Sequence, residues 1–122
     1  METNSTFANA APLLDVARGV GMMGSESGLR KILKTVVLSM TADLPKIESA
    51  LQAGDVPTAN RLLHAIKGYM PIFACDPLVE LVTAVEKLSK TAPIEQVQSP
   101  YQQLGPQLHA LVAEIEIFLT TD

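Results

Sequence analysis

Two histidines, His64 and His109, are the only imidazoles in this 122-residue chain. An unperturbed imidazole, with a pKa of about 6.5, is mostly neutral at pH 7 and keeps a nucleophilic lone pair. To use that pair it needs access and a cation to balance any anionic group it acquires. His64 lies in the run Leu63-His64-Ala65-Ile66-Lys67-Gly68. On a helix advancing about 100° per residue, Pro57, Asn60, Arg61, Lys67, Gly68 and Pro71 all fall within roughly 60° of it. Leu62, Ile66, Tyr69, Met70 and Phe73 fall on the other side, with Ala59 among them. The spacing predicts His64 at the centre of a polar face, directly opposite the core stripe. Lys67, one turn on, can set an ammonium near anything bonded to the imidazole; Arg61, one turn earlier, and Asn60 are candidate supports. Gly68 is a poor helix-interior residue, costing about 1 kcal/mol relative to Ala. Its lack of a side chain lets another protein's surface approach His64.

The remaining candidates are weaker. A histidine on a solvated helix face is usually only a surface residue, and His109, without a neighbouring Lys–Gly pair, is read that way. Cys75 lies in an apolar run and is expected to be a buried structural thiol. Met22, Met23, Met40 and Met70 are read as core fillers. Glu114 and Glu116, two residues apart on a helix, do not face each other and form no carboxylate dyad. No ligand set suggests a metal site, and no glycine-rich phosphate loop is present, so the chain has no visible means of using ATP.

The elements that must position His64 follow from apolar periodicity. Residues 1–11 read as a loose lead-in. Pro12 and the run from Leu13 to Val20 can form a short helix that Gly19, Gly21 and Gly24 break. Leu29, Ile32, Leu33, Val36, Val37, Met40, Leu44, Ile47 and Leu51 mark a long helix from Ser25 to about Ala53, kinked at Pro45 and closed at Gly54. Asp55 caps a third helix with Pro57 in its first turn, distorted late by Pro71. Asp76-Pro77 opens a fourth, ending near Lys90 and closed by Ala92-Pro93. Ser99-Pro100 opens a last helix through Phe118 or Leu119, which Gly105-Pro106 should kink or delay. The expectation is an all-α fold: an up-down antiparallel four-helix bundle with a short additional N-terminal helix, occupying residues 12–122.

Composition agrees. Hydrophobic residues make up 48% of the chain and aromatics 4%, with no Trp, so the core must be aliphatic. Nine Lys and Arg against thirteen Asp and Glu leave a net charge of −4, without the broad basic surface that nucleic-acid binding requires. One cysteine excludes an internal disulfide framework and any multi-Cys metal site. The N-terminus lacks the basic region and apolar core of a signal peptide, and no stretch is apolar enough to cross a membrane. A cytoplasmic, monomeric protein is the expectation.

Over residues 13–90 the pattern resembles the histidine phosphotransfer (HPt) domain of bacterial multistep phosphorelays. The matching residues are Leu14-Asp15, Met23-Gly24, Asp43-Leu44-Pro45 inside the long helix, Ala53-Gly54-Asp55, His64 with Lys67 and Gly68, and then Leu78, Leu81 and Glu86. After Gly68 the chain departs from the family's small residues with Tyr69-Met70-Pro71-Ile72-Phe73, and Ala74 replaces the family's second glycine. The resemblance implies that His64 is the phosphoacceptor, with Lys67 and Gly68 shaping its surroundings. It implies a phosphoryl carrier without kinase activity, working between receiver domains of a hybrid kinase and a response regulator. No cofactor is expected on the chain itself, the receiver supplying Mg²⁺. The other readings are the phosphoacceptor domain of a chemotaxis-type kinase and a helical adaptor with no phosphotransfer. The N-terminal Met and the end just after the last helix favour a free-standing module over the kinase domain.

Overall fold

A computed structural model describes residues 12–121, and the expected lead-in at 1–11 lies outside them. Five helices follow one another: α1 Val16–Met23, α2 Glu26–Gln52, α3 Val56–Phe73, α4 Asp76–Thr91 and α5 Ile94–Thr120. Among the described residues there is no strand, only an isolated bridge between Leu14 and Ala74. The fold is all-α.

Local chemistry sets most of the boundaries. Ser25 caps α2 by accepting the Gly28 amide at 3.0 Å, and Asp55 caps α3 by accepting from Thr58 N at 3.2 Å and Thr58 Oγ1 at 2.7 Å. Asp55 is held below the usual carboxylate range chiefly by the Thr58 hydroxyl. Gly54, at φ 75°, turns the chain through the left-handed region between α2 and α3.

Three boundaries differ from the periodicity reading. Gly19 and Gly21 do not break α1, which runs to Met23 and ends at left-handed Gly24. Gly19 is there for contact: a Cβ would meet Leu29 Cδ1 at 2.5 Å. The last helix starts at Ile94, not at Ser99-Pro100, with Pro93 at its N-cap. Val97, fully buried, extends the stripe upstream of Pro100. Gly105-Pro106 does not delay it either, because Gly105 is where the Tyr101 ring crosses the backbone, 2.9 Å from a hypothetical Cβ. In α4 the N-cap is Cys75, and Asp76 is the first helical residue. Pro45, Pro71, Pro100 and Pro106 all sit inside continuous helices. Each lacks the N–H for the carbonyl four residues back. None of the four is buried, so water can satisfy the freed group.

Helix α2 packs on α3, α3 on α4, α4 on α5 and α5 on α2, while α1 lies against α2 and α3. The core enclosed by that ring is aliphatic, from Leu29, Leu33, Met40, Leu44, Ile47, Leu63, Ile66, Leu78, Leu104 and Leu108, with Phe73 the one fully buried aromatic among the described residues. Met40 and Met70 fill it as expected, but Met22 is 61% exposed and Met23 only half-buried. Cys75 is a free thiol, half-buried rather than fully enclosed. Within the described residues no helix is long and apolar enough to cross a membrane.

Candidate functional site

The buried line of α3 is Ala59, Leu63, Ile66, Met70 and Phe73, while Leu62 and Tyr69 are half-buried. Its axis lies roughly 140° from His64, so His64 is not directly opposite the core. It leans toward α4, together with Asn60 and Lys67. Arg61 and Gly68 take the other flank.

That lean brings His64 to Glu86. The Glu86 residue is 1% exposed, whereas the His64 side chain is 64% exposed. Glu86 Oε2 lies 3.2 Å from His64 Nδ1, and Oε1 accepts from Lys67 Nζ at 3.0 Å. Asn60 Nδ2 lies 3.2 Å from Oε2, and Lys90 Nζ is 3.7 Å from the same oxygen. Burial pushes the Glu86 carboxyl up, but hydrogen bonds from Lys67, His64 and Asn60, with the Lys67 charge, bring it below the usual value. Glu86 is therefore an ionised acceptor. An ionised carboxylate has no proton to give, so His64 Nδ1 must be the donor. In the neutral ring the lone pair then sits on Nε2. One nitrogen is held by the protein, and the other is left for chemistry.

Lys67, 29% exposed, shares the Glu86 carboxylate with His64 rather than standing free. Gly68 has open space around it, with nothing within 4 Å of a built Cβ. No internal packing among the described residues requires a glycine there. Arg61 is exposed and makes no hydrogen bond or ion pair among the described residues. The departure from small residues after Gly68 divides in two. Tyr69 turns inward, its ring 6.1 Å from Phe73 and its hydroxyl buried without a partner among the described residues. Pro71 stays exposed on the His64 side.

His109 is exposed, as expected of a surface histidine, but it has a partner: Nε2 lies 2.8 Å from Glu48 Oε2, which also accepts from Tyr101 Oη at 2.9 Å. Gly105, one turn before it, is packed under the Tyr101 ring, and no Lys–Gly pair like Lys67-Gly68 accompanies it. Glu114, apart from Glu116, accepts the Leu13 and Leu14 amides, each at 2.9 Å. Among the described residues no group of three or more His, Cys, Asp or Glu could hold a metal ion. The periodicity reading overlooked Glu86 as the partner of His64, and Ser89 and Lys90 as members of the network around Glu86. Their signal was the spacing of a polar Glu86 and Ser89 on the otherwise apolar inner side of α4.

A helical bundle that holds one imidazole nitrogen on a buried carboxylate and leaves the ring largely exposed has the chemistry a group carrier needs. The family comparison agrees with that class: residues 31–117 match the Hpt domain, and the chain belongs to this family. Hpt domains are histidine phosphocarriers of phosphorelays rather than kinases. Compared with curated proteins and with solved structures, the chain matches none.

Proposed function

We propose that this chain relays a phosphoryl group between receiver-domain aspartates by way of His64 Nε2. The reading rests on one observation above all: Nδ1 is committed to ionised Glu86, which leaves the lone pair on the exposed nitrogen. In the forward step that pair attacks the phosphorus of an aspartyl phosphate on a docked receiver. The N–P bond forms, the P–O bond to the aspartate breaks, and the carboxylate leaves with the electron pair. The Nδ1 proton stays in place, and the positive ring faces Glu86. Attack by the aspartate of a second receiver reverses the sequence. The chain contributes orientation and access rather than acid–base chemistry.

Lys67 offers its ammonium one turn from His64, and Gly68 opens the approach. Arg61 and Lys90 stand as outer cations, though −4 overall leaves them in an acidic molecule. The Mg²⁺ that polarises the phosphoryl group belongs, in this proposal, to the receiver. The acting unit is residues 12–122, a cytoplasmic monomer whose closed ring of contacts fits an up-down antiparallel four-helix bundle with α1 appended.

The test is incubation of the full chain with radiolabelled phosphorylated receiver domains. Acid-labile label should appear on the wild type and on His109→Gln, and be missing from His64→Gln. Label that persists on His64→Gln would overturn His64 as the acceptor, and no label on any form across a panel of receivers would favour a helical adaptor instead.

A further inference from the structure

The only two polar or charged residues in the buried class among the described ones are Glu86 and Ser89, and Asn60 touches both. From α3, Asn60 Nδ2 reaches Ser89 Oγ at 2.8 Å, the Glu86 carbonyl at 3.1 Å and Glu86 Oε2 at 3.2 Å. Ser89 Oγ in turn donates to the Glu86 carbonyl at 2.7 Å. The direction of each bond is forced. A carbonyl and an ionised carboxylate only accept, so the amide must present its NH₂ to α4. The Ser89 hydroxyl gives its proton to the carbonyl and therefore accepts from Asn60. An NH₂ has two hydrogens, so with three acceptors in reach one hydrogen goes to Ser89 and the other is shared between the two Glu86 oxygens.

We propose that Asn60 is a positioning residue that locks the Glu86 carboxylate and, through it, fixes the Nδ1–H tautomer of His64. This rests on the reading of His64 Nε2 as the nucleophile. The carboxylate has one donor on Oε1, Lys67, and two on Oε2, His64 and Asn60. His64 is exposed and can swing away. Asn60 is half-buried and the same NH₂ also donates to Ser89 Oγ, so it is the anchored donor of the pair on Oε2. Remove it and that oxygen, on a carboxylate only 1% exposed, keeps His64 as its one hydrogen-bond donor, with Lys90 Nζ 3.7 Å away as a competing pull. A carboxylate turned toward Lys90 no longer faces Nδ1. The ring then reverts toward the Nε2–H tautomer that a free imidazole favours, and the nitrogen meant to attack carries a proton. Residues that hold a histidine's second nitrogen act in this way on the reactivity of the first.

The experiment is ¹⁵N NMR of the imidazole rings in the full, unphosphorylated chain, with His109 as an internal control. In the wild type, His64 should show a protonated Nδ1 and a bare Nε2 when the ring is neutral. In Asn60→Leu it should move toward the Nε2–H pattern while His109 and the helical circular dichroism stay unchanged. Phosphoryl transfer from a receiver should slow roughly ten-fold, the lower end of what loss of such a supporting contact causes. Ser89→Ala should fall between the two. If Asn60→Leu does not fold, Asn60→Ala decides the question by the same spectrum, since it removes the amide without adding bulk. An unchanged His64 spectrum in the Asn60 variant overturns the proposal even if transfer is slowed. A correct wild-type tautomer with no transfer to any form sinks the carrier reading and leaves the role of Asn60 standing.

Discussion

Glu86 sits where an ionised group costs most, and it remains ionised because three donors and a nearby ammonium surround it. Its folded pKa lies below the ordinary value of 4.5, so the folded state binds its proton more weakly than the unfolded chain does. The stability this contributes is fully present above the unfolded value and is lost as pH falls through the folded one. Glu86→Gln should therefore be less stable than wild type near neutrality by roughly 1–3 kcal/mol, from the donors it leaves poorly paired. That gap should narrow below about pH 4.5, the ordinary value for a glutamate. Chemical denaturation of both forms from neutral to acid pH measures it; a gap independent of pH would mean that folding does not lower the pKa of Glu86. Gly68 gives the opposite separation of stability from function. Gly68→Ala should raise stability by about 1 kcal/mol, since the added methyl meets nothing, and a larger Gly68→Leu should slow transfer from a receiver. Unchanged transfer in Gly68→Leu would remove the access argument. His64, Lys67 and Gly68 were legible because they share one helix, where spacing alone gives the angle between residues. Glu86 was visible only as part of a family pattern, because its role depends on how α4 is rotated against α3.

At the scale of elements, the starts of α2 and α3 were legible from Ser25 and Asp55, whose side chains bond amides only three residues away. The start of α5 was not. Ser99-Pro100 carries the same local signature, but Ile94, Val97 and Tyr101 continue the stripe through it, and burying them outweighs the capping signal. Gly19 and Gly105 misled for a related reason. They stand in helices because Leu29 and Tyr101 press against the backbone there, a tertiary cause that no local pattern carries. The Asp55 cap can be tested directly. Asp55→Ala should lower stability, as loss of an N-cap carboxylate ordinarily does. The loss should appear as faster hydrogen exchange in the first turn of α3, at Thr58 and its neighbours, with exchange around His64 unaffected. Fraying that reaches His64 would show that the first turn and His64 open as one unit, despite the buried line of Leu63, Ile66 and Met70.

At the scale of the whole molecule, the described chain closes on itself at one end of the bundle. The segment before α1 is held by three different elements: Asp15 N donates to Phe73 O at 2.7 Å, Cys75 N to Leu13 O at 2.9 Å, and the Leu13 and Leu14 amides to Glu114. Arg18 adds a bond to Ala74 O at 2.6 Å and an ion pair with Asp76. Residues 31–117 carry the family match, so this clasp joins a segment outside the matched span to the turn that ends the His64 helix. Glu114 is its keystone, because one carboxylate oxygen answers two backbone donors that no helix or sheet supplies. Glu114→Ala should leave both amides without a protein partner and cost roughly 1–3 kcal/mol. The loss should be cooperative: exchange should quicken at Leu13 and Leu14, and with them at Asp15 and Cys75, whose bonds depend on the same placement. The His64 ring spectrum should stay as in the wild type, since Glu86, Asn60 and Lys67 lie on the α3–α4 face and share no bond with the clasp. Faster exchange confined to Leu13 and Leu14 would show that the Phe73 and Cys75 bonds hold α1 by themselves. A changed His64 spectrum would show instead that the end of α3 transmits strain back to the carboxylate.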